Sequence, residues 1–310
     1  MMTIDHHQTV LIAEAIEALA IKPDGFYVDA TFGRGGHSQA ILAALNDKGR
    51  LLAMDKDPQA IAYAKQNFAA DPRFEIVQGA FSKLEQVIRE RDRVEAVNGI
   101  LFDLGVSSPQ LDEAARGFSF LQSGPLDMRM DPNSGRSAAA WINRAAESEI
   151  AAVLKEYGEE RFAKRIAKAI VSARKDAPFT TTNQLAEVIK EANPAWEKHK
   201  HPATRSFQAI RIFINQELEE LTQVLQQSLR VLACGGRLVV IAFHSLEDRI
   251  VKHFLRQQAQ GNLPAGLPVT EDQLSIRMKR IGGAIKPRMG EVALNPRARS
   301  AIMRIGEKIA

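Results

Sequence analysis

The chain has 310 residues, 45% of them hydrophobic and 25% charged, an ordinary balance for a folded globular protein with a full core and room for two domains. No run of 18 apolar residues occurs, so a membrane-spanning helix is not expected, and the opening Met1-Met2-Thr3-Ile4-Asp5-His6-His7 lacks the regions of a secretory signal. The single cysteine, Cys234, excludes an internal disulfide and fits a reducing cytoplasm.

In chain order, the first informative segment is the apolar run Phe26-Tyr27-Val28, followed by Asp29-Ala30-Thr31-Phe32-Gly33-Arg34-Gly35-Gly36-His37. It reads as a short strand, a glycine-rich turn and a helix over 38–46. Open sheets bind ligands at such a turn, and glycine lets the backbone approach a ligand or take positive φ. The pattern is not a dinucleotide fingerprint, because the third glycine of G-x-G-x-x-G would fall on Ser38. It is not a P-loop either, because no Lys-Ser or Lys-Thr follows. A nucleoside without a pyrophosphate fits better. S-adenosyl-L-methionine is such a ligand, and its carboxylate would face the helix N-terminus.

The second strand, Arg50 to Asp55, ends in an acid 19 residues beyond Gly36. That is close to the spacing of a carboxylate that holds ribose hydroxyls, and its two oxygens can accept from both. A helical stretch over 57–69 leads to the third strand, Phe74 to Gln78, and then to Phe81. The Phe81 ring reads either as an adenine-facing surface or as core. After a helical stretch over 82–92, the fourth strand, Gly99 to Gly105, again ends near an acid, Asp103. This alternation predicts a parallel doubly wound α/β sheet.

About a hundred residues then intervene where a crossover needs little more than a dozen. Their apolar spacing is helical: Ile150 to Leu154, Phe162-Ile166-Ala169-Ile170 and Leu185-Ala186-Val188-Ile189, with Thr180 to Asn183 as a capping loop and Pro194 as a stop. The expected organisation is a domain of 1–108 and 211–310, with an inserted mostly helical lobe over 109–210 that covers the sheet's carboxyl edge and recognises substrate. The lobe's Lys164, Arg165, Lys168, Arg174 and Lys175 are partly offset by Glu156, Glu159 and Glu160, as on solvated helix faces. A helix from Glu217 to about Leu232 precedes the fifth strand, Gly235 to His244. Ser245 then opens a helix, and Ser300 to Gly306 forms the last strand. This is the plan of a class I methyltransferase (Rossmann-like), whose final strand runs antiparallel.

Charge is uneven along the chain. Residues 274–310 hold nine Lys/Arg and two Glu, a net of +7, whereas the whole chain carries +4. Arg277, Lys279, Arg280, Lys286 and Arg288 lie among glycines and a proline, so a cationic loop is expected. A phosphate backbone would require such a loop, although a solubilising surface would look the same.

Several strings resemble the RsmH (MraW) family of bacterial 16S ribosomal RNA cytosine-N4 methyltransferases. They are Asp29 to Ser38, Asp103 to Asp112, Gly117 to Asp131, Gly158 to Lys164, His201 to Glu217, Phe243 to Lys252 and Asn295 to Ser300. The resemblance spans nearly the whole chain. It implies a cytoplasmic, RNA-binding enzyme that moves the S-adenosyl-L-methionine methyl group onto N4 of a P-site cytosine in the 16S rRNA of the small ribosomal subunit, with no membrane partner. Carried over by position, the cofactor site comprises Gly35, Gly36, His37, Asp55, Phe81, Asp103 and Gln110. Cys234 departs from the proline common in relatives. The oligomeric state stays open between monomer and homodimer.

Residue chemistry bears on the reaction. Methylation at cytosine C5 needs a cysteine nucleophile, and the sole cysteine precedes the fifth strand. An exocyclic amine must instead be held in line with the methyl sulfonium. The [DNS]-P-P-[YF] stretch of many amine methyltransferases is replaced by Asp103 to Pro109. Asp103 is the candidate catalytic residue; Ser107 and Ser108 suit turn chemistry as well as catalysis. His6, His7 and His37 lack metal-ligand spacing, so no metal is expected. Arg205 and Arg211 fit either RNA phosphate or closure of the lobe, and His244 either substrate or core. Asp127, Arg129 and Asp131 suggest internal ion pairs. A DNA or protein methyltransferase and a non-catalytic assembly factor remain rival readings.

Overall fold

The structure, a computed structural model, describes residues 9–195, 201–260 and 276–310; His6 and His7 lie outside them. The chain divides into two compact units, one of Met1–Gly105 with Leu218–Ala310 and one of Val106–Glu217.

The first unit holds a sheet of β1 (Phe26–Asp29), β2 (Arg50–Asp55), β3 (Phe74–Gln78), β4 (Val97–Asp103), β5 (Leu232–Ala242), β6 (Met278–Arg280) and β7 (Ile302–Lys308). Among the described residues the order is β3-β2-β1-β4-β5-β7-β6. Strands β1 to β5 are parallel; β7 runs antiparallel to β5, and β6 antiparallel to β7. This is the class I methyltransferase order. The apolar runs are continuous because both faces are covered. Alternate side chains serve opposite cores: Val28, Leu52, Ile100, Phe102 and Val240 pack together on one face, Tyr27, Leu51, Leu101, Val239 and Ile241 on the other.

Strand β1 lies between β2 and β4, with Asp29 beside both Ala53 and Leu101. The strand order reverses there, so the ends of β1 and β4 flank a topological switch point, where open sheets bind ligands.

Two local differences from the sequence reading have physical causes. The segment expected to be a loop around Arg277 to Arg280 contains β6. Its three residues have little strand character of their own, but β7 supplies the partners and Met278 is buried. The fifth strand, expected from Gly235, begins three residues earlier at Leu232, so the glycine pair lies inside β5, where the register shifts between Val97 and Gly99. The extra residues are accommodated as a bulge.

The second unit is helical: Ser108–Asp112, Ala138–Ile142, Glu147–Gly158, Ala163–Asp176, Thr182–Ala192 and Thr204–Asn215. Its own core gathers Trp141, Ile150, Leu154, Ile166, Ile170, Leu185, Ile189 and Ile210. Thr181 and Gln184 form a capping box, with the Thr181 N–H donating to Gln184 Oε1 at 3.0 Å. The helix Thr204–Asn215 belongs to this unit and packs on Glu147–Gly158. Asn215 fastens its end: Oδ1 accepts from the Met130 N–H and Nδ2 donates to Met128 O, both at 2.8 Å.

Candidate functional site

The carboxyl ends of β1, β2 and β4 bring one set of polar groups together. After Asp29 the chain turns, with Phe32 N–H donating to Met54 O and Gly33 N–H to Asp55 Oδ2 at 2.8 Å. Gly35 has φ +75, and a Cβ there would stand 2.6 Å from the Phe68 ring. A Cβ on Gly36 would collide with Thr9 Oγ1. Both glycines are therefore required by the neighbouring chain itself. The helix Gly36–Ala44 starts directly after the turn, leaving its first N–H groups without intrahelical partners at the ligand edge.

Asp55 is half-buried at the end of β2. Its Oδ2 accepts from Gly33 N–H and its Oδ1 from Asp57 N–H, both at 2.8 Å. These bonds fix the carboxylate's orientation. Burial pushes its pKa up to about 6, against the lowering effect of the two N–H donors.

His37, in the first turn of the helix, is buried, with Nε2 3.5 Å from Asp103 Oδ2. The pair is close enough for charge attraction, yet neither ring nitrogen makes a hydrogen bond among the described residues, and Asp103 Oδ1 is likewise unpartnered. Burial alone would lower the imidazole pKa, but Asp103 and Asp29 together raise it above its usual value. Asp103 is positioned through its backbone, whose N–H donates to Thr31 Oγ1 at 2.7 Å. The fully buried Asp29 accepts from Ser38 Oγ at 2.7 Å and Thr31 N–H at 3.2 Å, and burial raises its pKa. Asp29, Thr31 and Ser38 were not among the expected site residues. Asp29 carried the same signal as Asp55 and Asp103, an acid closing an apolar strand.

The structure thus gathers Gly35, Gly36, His37, Asp55 and Asp103 in one unit around one switch point. Phe81 begins the short turn after β3, half-buried, with its ring edge-on to Phe102 at 5.8 Å between centroids. Gln110 belongs to the second unit. Its Oε1 accepts from Ser107 N–H at 2.9 Å in a capping box, so Ser107 takes the turn role. His244 has Nε2 3.1 Å from Glu247 Oε1, and Glu247 Oε2 accepts from Phe243 N–H at 2.8 Å. Within the second unit, Arg211 makes a bidentate pair with Glu217 at 2.8 Å, Arg205 donates to Glu159 O, and Arg129 pairs with Asp127 at 2.7 Å.

The donor set suits S-adenosyl-L-methionine and an amine acceptor: helix N–H groups and His37 for a carboxylate, Asp55 for a ribose diol, and Asp103 for either the cofactor's ammonium or a substrate amine. Sheet order and strand-end chemistry together define a class I methyltransferase that uses this cofactor. The chain belongs to the MraW methylase family, which it matches over residues 4–309. It is similar to a rRNA methylase from Streptococcus thermophilus (12% identity, 96% of this chain and 94% of that one, TM-score 0.39). It is also similar to a SAM-dependent O-methyltransferase from Thermotoga maritima (10%, 100% and 69%, 0.44) and to NSun6 from Pyrococcus horikoshii, solved with SFG (13%, 98% and 53%, 0.45). Likenesses of this strength leave the fold to rest on the sheet order. No helix among the described residues is long and apolar enough to cross a membrane.

Proposed function

We propose that the chain methylates the exocyclic N4 of a P-site cytosine in the 16S rRNA of the small ribosomal subunit, and that Val106–Glu217 recognises the substrate. The family match across 4–309 carries this reading. The placement of Cys234 supports an amine rather than a ring carbon as acceptor. It lies exposed near the start of β5, at the opposite end of that strand from the ligand edge, with Sγ 3.4 Å from Ile309 O. No cysteine is therefore available to attack the ring.

In this mechanism Asp55 holds the ribose, Phe81 lies near the adenine, and Gly35, Gly36 and His37 hold the methionine carboxylate. S-adenosyl-L-methionine supplies an electrophilic methyl group when bound. Asp103 accepts a hydrogen bond from the attacking amine, holds its lone pair toward the methyl group, and takes the proton that the amine gives up as the N–C bond forms and the sulfur–methyl bond breaks. The base must be swung out of its stack to present this edge. Replacing Asp103 by Asn should lower kcat by about 10²-fold or more.

The decisive experiment is mass spectrometry of nucleosides from small-subunit RNA after incubation with labelled S-adenosyl-L-methionine. Label in N4-methylcytidine is expected. Label in 5-methylcytidine or in an adenosine would sink the assigned atom. No label despite cofactor binding would favour the assembly-factor reading.

A further inference from the structure

The basic C-terminal segment separates into two parts with different fates. In the strands at its two ends the cations are used internally: Lys279 pairs with Glu307 at 2.5 Å, Arg304 with Asp248 at 2.6 Å, and Lys308 Nζ donates to Leu232 O at 2.8 Å. The stretch 286–300 is different. Lys286 and Arg299 are exposed and have no acidic partner among the described residues; Arg288 is 88% exposed and only 3.8 Å from Glu14. Its single acid, Glu291, is turned inward, where Oε1 accepts from Leu11 N–H at 2.7 Å. Lys286 and Arg299 thus present outward charge that no acid among the described residues offsets. Met289 is 91% exposed and Leu294 75%, on the short helix Met289–Leu294 between those cations.

Topology decides where this stretch lies. Because β7 is antiparallel, the chain enters it at the carboxyl ends of the parallel strands, with Ile302 opposite Ala242. Residues 286–300 lead into that entry, so they stand at the edge that carries His37, Asp55 and Asp103. The Glu291 bond adds a direct link. Leu11 lies two residues from Thr9, and Thr9 abuts Gly36 of the glycine turn.

We propose that residues 286–300 form a docking surface for the RNA strand beside the methylated base, with Lys286, Arg288 and Arg299 on phosphates and Met289 and Leu294 against bases. The inference rests on the rRNA methyltransferase reading and adds the surface to it. Phosphates are the partner that matches uncompensated cations, and exposed apolar side chains among those cations meet the faces of unstacked bases.

The test is binding to small ribosomal subunits purified from a strain lacking the protein, measured as a function of salt. The double variant Lys286→Ala with Arg299→Ala should reduce the slope of log K against log salt by about 1.4, the value for two phosphate contacts on a single strand. Lys286→Arg with Arg299→Lys should restore it. Met289→Ala with Leu294→Ala should weaken binding without changing the slope. All these side chains are exposed, so S-adenosyl-L-methionine affinity and melting temperature should stay at wild-type values. Wild-type binding with an unchanged slope in the double alanine variant overturns the surface while leaving the methyltransferase reading intact. Weaker binding with an unchanged slope in that variant assigns the surface to a protein partner and also overturns the proposal. Failure of the wild-type protein to bind subunits or methylate their RNA overturns both.

Discussion

Replacing Asp55 by Ala separates cofactor binding from folding, because two opposing effects nearly cancel in the free protein. The rise of the Asp55 pKa from 3.8 to about 6 corresponds to a cost of about 3 kcal/mol for carrying the ionised group at neutral pH. Truncation relieves that cost. It also strips the acceptor from the Gly33 and Asp57 N–H groups, at about 1–3 kcal/mol each. The melting temperature of the free protein should therefore move little. Cofactor binding has no such compensation. Two hydrogen bonds from ribose hydroxyls to a charged acceptor contribute about 1.5–3 kcal/mol each, so Kd should rise by about 10²–10⁴-fold. Titration calorimetry with S-adenosyl-L-methionine reads this directly, and the cofactor's stabilisation in a thermal scan should vanish with it. RNA binding should survive while methylation is lost. A Kd within threefold of the wild-type value would refute the assignment of Asp55 to the ribose.

The pH dependence follows from the same carboxylate. Hydroxyl donors favour its ionised form, so cofactor affinity should be level above about pH 7 and fall as pH drops below about 6, toward tenfold per unit. In the free protein the sign reverses: the folded state binds the extra proton between about pH 4 and 6, so this group's contribution to stability declines as pH rises through that window. Asp55→Asn should flatten both profiles between pH 5 and 8. Gly36→Ala should cost about 1–3 kcal/mol by driving Cβ into Thr9, and Thr9→Ala should recover part of that loss; additivity of the two in denaturant unfolding would disprove the contact. Asn215→Ala should destabilise by about 2–3 kcal/mol, because it strands the buried Met130 N–H and Met128 O. A loss below 0.5 kcal/mol would show that those groups find other partners.

The resemblance read from the long strings and the family match agree over nearly the whole chain. The core strands were legible because local pattern and burial coincide. Runs such as Leu51 to Met54 and Val239 to Ala242 are apolar at every position, as a strand covered on both faces demands. The acids Asp29, Asp55 and Asp103 were visible at the ends of such runs. Strand β6 was not, because Met278-Lys279-Arg280 acquires its structure from β7 rather than from its own residues. Nor could the sequence show that Gly35 and Gly36 answer to Phe68 and Thr9, or that His37 sits 3.5 Å from Asp103. Sequence fixes patterns that repeat within a few residues. Which groups from distant strands meet, which cations are neutralised within the fold, and which face outward were decided by the tertiary structure, because those energies depend on distances between residues far apart in the chain.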